Sequence, residues 1–251
     1  LVCRLIGPFH DISSYKRRIV FVHYHHVFDD ERANFKSHLT FLKNYGDFIS
    51  IDDAISYINN ETIDNKIYFC LTFDDGLQSC YTNAFPILRE LSIPATVYLA
   101  TNYIGLNPGL TKEREKLLKF YTQKSKLVPF LSWEQCRIMS KHHITFGSHT
   151  VNHTRLKCLD KKELKQELLH SKNKIESELN LACKHFACPW GKPNVDYFPQ
   201  LTKNYLQELG YDTLASTVRG SMKNGDDVFL IKRNHLLANW NLSYLTFFLR
   251  R

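Results

Sequence analysis

The chain has 251 residues, of which 43% are apolar and 23% charged, the proportions of a globular protein long enough to bury its own core. They exclude fibrous, disordered and disulfide-scaffold classes. Lys and Arg outnumber Asp and Glu 33 to 25, a net charge of +8, with 12 histidines besides; such a surface concentrates anions of any kind without selecting one.

The basic residues are spread out. Their densest clusters, Lys16-Arg17-Arg18 and Lys161-Lys162, have no interleaved aromatics to stack on bases, so both read as solvated surface and no nucleic-acid partner is expected. Seven cysteines without a CxxC pair favour a reducing compartment. No apolar run reaches the roughly 18 residues of a membrane span, and no signal peptide is visible. These features favour the cytoplasm. A chain beginning at Leu1 leaves room for a preceding leader, and with it for a periplasmic or cell-surface location.

Short β-branched and aromatic runs alternate with helical patterns, the arrangement that builds parallel sheets and barrels. Seven strands are predicted, at 18–22, 67–73, 95–99, 144–146, 185–187, 213–215 and 229–231. Helices are predicted near 35–44, 52–58, 83–91, 133–140, 161–179 and 198–209. Two helix starts carry capping boxes, Ser132 with Gln135 and Asp160 with Glu163. The stretch from Gly105 to Lys126 reads as a loop and a solvated helix laid over the barrel top. No repeat or linker divides the chain, so residues 1–251 are expected to form one domain.

The polar clusters fall just past predicted strand ends: Tyr24-His25-His26, Asp74-Asp75-Gly76, His149 with His153, Pro189-Trp190-Gly191 and His235. That is the face on which α/β barrels assemble their sites. His149 and His153, four apart, would share one face of a helical turn and reach one ion, with a carboxylate completing a three-ligand site. Two such histidines are commonly surface or capping residues, and Asp-Asp-Gly is also good turn chemistry. Adjacent aspartates point in different directions, however, so one carboxylate could ligate a metal while the other served as a base.

The segments Leu71-Thr72-Phe73-Asp74-Asp75-Gly76, Ser148-His149-Thr150-Val151-Asn152-His153 and Phe186-Ala187-Cys188-Pro189-Trp190-Gly191 resemble the first three motifs of the polysaccharide deacetylases, the NodB-homology domain of carbohydrate esterase family 4. Val22-His23-Tyr24-His25, Ile93-Pro94-Ala95-Thr96, Leu131-Ser132-Trp133-Glu134-Gln135 and Gly210-Tyr211-Asp212-Thr213 follow in family order, so the resemblance spans about residues 18–237. It implies a distorted (β/α) barrel of about seven parallel strands, with the site at the strands' C-terminal ends. It also implies one divalent metal per chain, most often Zn2+, held by Asp75, His149 and His153, and Asp74 as catalytic base. The Trp190 backbone N–H would hold the oxyanion. Trp190, Pro189 and Tyr24 would contact substrate, and either His235 or His25 would protonate the leaving amine.

Two departures stand out. Arg233 occupies the place of a leucine in the last motif, and Ala187 stands where the family carries an arginine that orients the base. Arg233 is therefore expected to reach across the barrel mouth and pair with Asp74 instead. Three Asn-x-Ser/Thr matches, at Asn60, Asn152 and Asn241, read as background, because a glycan on Asn152 would block the metal.

The function implied is metal-dependent removal of an N-acetyl group from an amino sugar, in a surface polysaccharide or its lipid-linked precursor. The basic charge suits an anionic glycan or phosphorylated carrier and leaves room for peripheral membrane contact. A deformylase or other C–N hydrolase on the same barrel, and a non-catalytic carbohydrate-binding module, are the alternatives. The sugar, the linkage and the oligomeric state are not legible in the sequence.

Overall fold

The computed structural model describes residues 17–107, 109 and 128–249; the predicted helix over the barrel top lies largely outside them. These residues include eight parallel strands: β1 Arg18–Tyr24, β2 Asp47–Phe48, β3 Ile67–Phe73, β4 Ala95–Leu99, β5 Ile144–Ser148, β6 His185–Ala187, β7 Thr213–Ala215 and β8 Arg233–His235. They run in the order β7-β6-β5-β4-β3-β1-β8, with β2 paired to the lower part of β3. A parallel bridge between Ala215 and Ile231 nearly joins the two ends. The result is a nearly closed, distorted barrel of seven main strands.

Among the described residues seven helices surround it: α1 Arg32–Lys43, α2 Ile51–Asn59, α3 Phe85–Leu91, α4 Trp133–Ser140, α5 Lys161–Leu179, α6 Pro199–Glu208 and α7 Leu242–Leu249. Both expected capping boxes form, at the starts of α4 and α5. α7 has no counterpart among the sequence expectations.

Strand alternation decides which side chains reach the site. Along β1, Ile19 and Phe21 fill the barrel floor with Cys70, Tyr98, Ala187, Ala215, Met222 and Ile231, while Val20, Val22 and Tyr24 face the helices. Small residues from β6 and β7 leave space there for the Tyr98 ring. The period of two therefore sends His23 upward inside the barrel and Tyr24 outward, where it packs on Phe35 and Phe73.

Three expectations are corrected. The strand expected at 229–231 is instead a 3-10 turn at Val228–Leu230, because the Asp227 side chain accepts the Phe229 N–H and diverts the backbone from sheet pairing. Only Ile231 bridges to β7, and the last strand starts at Arg233. Arg18 is not solvated surface: its side chain is buried at the foot of β1. Residues 149–153 are not a helical turn but a loop, entered from β5.

Candidate active site

Asp74 follows β3 and keeps that strand's inward alternation. Arg233, level with Phe21 in the β1–β8 register, meets it across the barrel. Nη1 donates to Asp74 Oδ1 at 2.7 Å and Nη2 to Oδ2 at 2.8 Å, a two-pronged pair between a fully buried guanidinium and a carboxylate 3% exposed. The pairing expected of Arg233 is thus present in the structure. Nε donates to the Ser216 carbonyl at 2.9 Å and the Tyr98 ring lies 5.6 Å away, so the planar fork is aimed from behind as well as in front. Burial acts to raise the Asp74 pKa, but the Arg233, His149 and His23 charges outweigh it and hold the carboxyl well below the usual range.

Asp75 turns the other way. Its φ of 72° lies in the left-handed region, as does that of Gly76, where a Cβ would meet the Leu99 and Ile104 side chains at 2.8 and 2.9 Å. Asp75 Oδ1 sits 3.5 Å from His149 Nε2 and 3.3 Å from His153 Nε2. Burial acts to raise this carboxyl, and His153, His25 and His149 lower it to about 2.

The donor set fits a divalent cation for a specific reason. His149 Nδ1 lies 2.8 Å from the Ala187 carbonyl; a carbonyl only accepts, so Nδ1 carries the proton. Burial leads in lowering the His149 pKa to about 4, so at neutral pH Nε2 bears a lone pair. That lone pair faces Asp75 Oδ1, an ionised and buried oxygen 3.5 Å away. Acceptors facing one another call for a cation between them, and one carboxylate with two imidazoles is a zinc-type set with an open position. The His149–Ala187 bond also fixes the ring's orientation, as histidine ligands commonly require.

The loop carrying both histidines is held by Glu167 of α5. Its Oε2 accepts from the Val151 and Asn152 N–H groups at 2.9 and 3.0 Å, and its Oε1 from the Asn152 side chain at 2.6 Å. Thr150 and His153 have φ of 65° and 53°. This strained backbone, rather than a helical repeat, converges the two rings. The strain clusters with that of Asp75 and Trp190, each such residue costing ~1–3 kcal/mol, as is common at functional sites.

Trp190 (φ 57°) is 43% exposed, with its ring 4.7 Å from His153 and 4.8 Å from the Arg155 guanidinium. Thr217 Oγ1 donates to its carbonyl at 2.8 Å, and its N–H has no acceptor among the described residues. Pro189, expected to contact substrate, is buried beneath this turn. It shapes the loop and offers no surface. Tyr24, expected in the same role, is fully buried with its hydroxyl 3.0 Å from His38 Nδ1; strand alternation places it on the wrong face.

His25 and His235 come together, Nδ1 to Nε2, at 3.2 Å. His23, which the sequence reading passed over, stacks on His235 at 4.7 Å. Its place on β1, two residues before His25, is the signal that marks it. Burial leads in lowering His235, to about 4, with His25 next, and in holding His23 well below its ordinary value. Other participants the sequence did not reveal are Glu167, Ser216 and the Ala187 carbonyl, all of which act through folding contacts rather than residue type.

Comparison with known proteins now assigns the chain. The profile of the polysaccharide deacetylase family matches residues 61–214, more than half of the chain, and the protein belongs to that family. The Bacillus subtilis (strain 168) protein YxkH is 21% identical over 203 residues, 80% of this chain and 63% of that protein. The poly-beta-1,6-N-acetyl-D-glucosamine N-deacetylase of Staphylococcus aureus (strain MSSA476) is 22% identical over 221 residues, 84% of this chain and 71% of that protein. The chain thus spans under two thirds of the length of YxkH. Among solved structures, the Streptococcus pyogenes deacetylase PplD in complex with acetate aligns at a TM-score of 0.72 with 22% identity, covering 94% of this chain and 99% of that one. IcaB from Ammonifex degensii aligns at 0.70 with 20% identity, covering 88% and 92%. These likenesses establish the barrel fold.

Proposed function

We propose that this protein is a metal-dependent N-deacetylase acting on an N-acetylated amino sugar of a surface polysaccharide or its lipid-linked precursor. The observation that carries the proposal is the division of labour between adjacent aspartates: Asp74 is clamped by a buried arginine, and Asp75 faces two imidazole nitrogens, at 3.5 and 3.3 Å. Asp75, His149 and His153 would hold a divalent ion such as Zn2+, which supplies Lewis acidity toward the acyl carbonyl and acidifies water.

Asp74 stays ionised at neutral pH and its bond to Arg233 fixes the direction of its remaining lone pairs, so it takes the proton of an attacking water. The Trp190 N–H supplies a fixed donor for the developing oxyanion, a contribution commonly worth ~3 kcal/mol. The Trp190 ring offers an exposed face for a sugar. The His25–His235 pair passes the proton that Asp74 takes from water on to the leaving amine. Arg233 provides the orientation of the base that Ala187 does not, so the missing family arginine lends no weight to a non-catalytic binding module.

The name of the Staphylococcus aureus relative makes β-1,6-linked N-acetylglucosamine oligomers the first substrates to try. Protein reconstituted with Zn2+ or Co2+ should release acetate from them, and Asp74→Asn should abolish release while retaining the metal. Formate release from an N-formyl analogue without acetate release would shift the reading to a deformylase. No amide hydrolysis with any divalent metal, across a panel of N-acylated oligosaccharides, would overturn it.

A further inference from the structure

We infer that His23, His25 and His235 form a second site for a divalent transition metal such as Zn2+ or Co2+, distinct from the Asp75–His149–His153 set. The barrel register creates it. His23 and His235 are register partners in neighbouring strands, and His25 follows His23 by two residues. One ring nitrogen from each of the three lies within 4.8 Å of the others, as do the donor atoms of Asp75, His149 and His153.

His25 Nδ1 and His235 Nε2 are already 3.2 Å apart. Two nitrogens bound at ~2.0–2.1 Å to one tetrahedral ion lie about 3.3 Å apart, so this edge of the site needs almost no adjustment; the stacked His23 ring must swing inward to join it. His23 is 2% exposed and its Nδ1 has no hydrogen-bond partner among the described residues, a costly state for a buried polar atom unless something fills it. Burial keeps His23 and His235 as free bases, so their lone pairs are available. Three imidazoles without a carboxylate suit Zn2+, Co2+, Ni2+ or Cu2+ and disfavour Mg2+ and Ca2+. The nearby Arg233 charge opposes any cation here, and its pairing with Asp74 offsets that charge.

On the deacetylase reading, an ion in this site takes the lone pairs that the His25–His235 relay uses, so filling it inhibits. Binding itself is independent of that reading. The test is a Co2+ titration followed by visible absorption, with stoichiometry from equilibrium dialysis. Wild type should take two Co2+ per chain, His149→Ala/His153→Ala one, and the same double variant with His23→Phe none. Activity should fall as the second equivalent binds.

His235→Gln at the exposed edge replaces His23→Phe if the latter loses its far-UV circular dichroism. A double variant that binds no Co2+, or that keeps its one ion after His23→Phe or His235→Gln, overturns the inference. Wild type with a single ion, lost in His149→Ala/His153→Ala, overturns it while leaving the proposed active site intact. A single wild-type ion that survives in that double variant and is lost with His235→Gln supports the second site and refutes the first ligand set.

Discussion

Replacing Arg233 by methionine removes the cation from a pair in which both partners are buried. The methionine fills much of the volume, so the dominant effect is electrostatic: a buried carboxylate at Asp74 loses two charge-assisted hydrogen bonds at 2.7 and 2.8 Å. Breaking a buried pair in this way costs ~3–5 kcal/mol. Asp74 can escape part of that cost by taking up a proton. At ~1.4 kcal/mol per pKa unit, a loss of ~3 kcal/mol raises its pKa by about two units. The acid limb of the kcat/KM profile for acetate release should therefore move to higher pH by about two units, and turnover at neutral pH should fall by orders of magnitude because the base is also no longer aimed.

Metal content should not change, because no ligand touches Arg233. Arg233→Lys should restore the charge without the fork, and so recover stability more than rate. A cycle with Asp74→Asn separates the two effects: the double variant should be more stable than Arg233→Met alone, since it leaves no buried charge unpaired. Unchanged turnover and an unmoved acid limb in Arg233→Met would refute the reasoning, as would additivity in the cycle.

Three further outcomes are expected. Glu167→Ala frees two backbone N–H groups of the ligand loop and should weaken metal affinity ~10–100-fold, read by competition with a chelating dye; unchanged affinity would show that the loop holds itself. Trp190→Ala should raise KM for the oligosaccharide ~5–10-fold with little change in kcat, because the backbone donor remains while the exposed ring is lost; equal losses in both would assign the ring to the chemical step. In metal-free protein, His149 stays neutral down to about pH 4, whereas in the unfolded chain it takes a proton below ~6.5. The His149 share of urea stability should therefore fall by up to ~3 kcal/mol between pH 6.5 and 4, on top of losses of the same sign from His235 and His23. The Asp74 contribution, present above its unfolded value of ~3.9, disappears only as pH drops further toward its depressed folded value. His149→Gln should flatten the upper part of this curve.

The barrel was legible in the sequence because its strands are covered on both faces and read as short apolar runs with defined ends. Ile67–Phe73, Ala95–Leu99, His185–Ala187 and Thr213–Ala215 lie where the pattern puts them. The capped helices at Trp133 and Lys161 were legible because a capping box is a local hydrogen-bond pattern. The ligand and base candidates Asp74, Asp75, His149 and His153 were visible through motif resemblance, and their residue types already carry the required chemistry.

Tertiary structure alone decided the rest. Whether Tyr24 or His23 faces the site depends on which side of β1 the helices cover, and that is a property of the assembled barrel. The meeting of Asp74 with Arg233, 159 residues apart, depends on β8 lying beside β1. The rings of His149 and His153 converge through left-handed backbone at Thr150 and His153 held by Glu167, a geometry whose energy comes from contacts outside the segment itself. Residue chemistry and strand period are local and can be read along a chain; which buried charges become partners is set only when the barrel closes and removes the water that would otherwise solvate them.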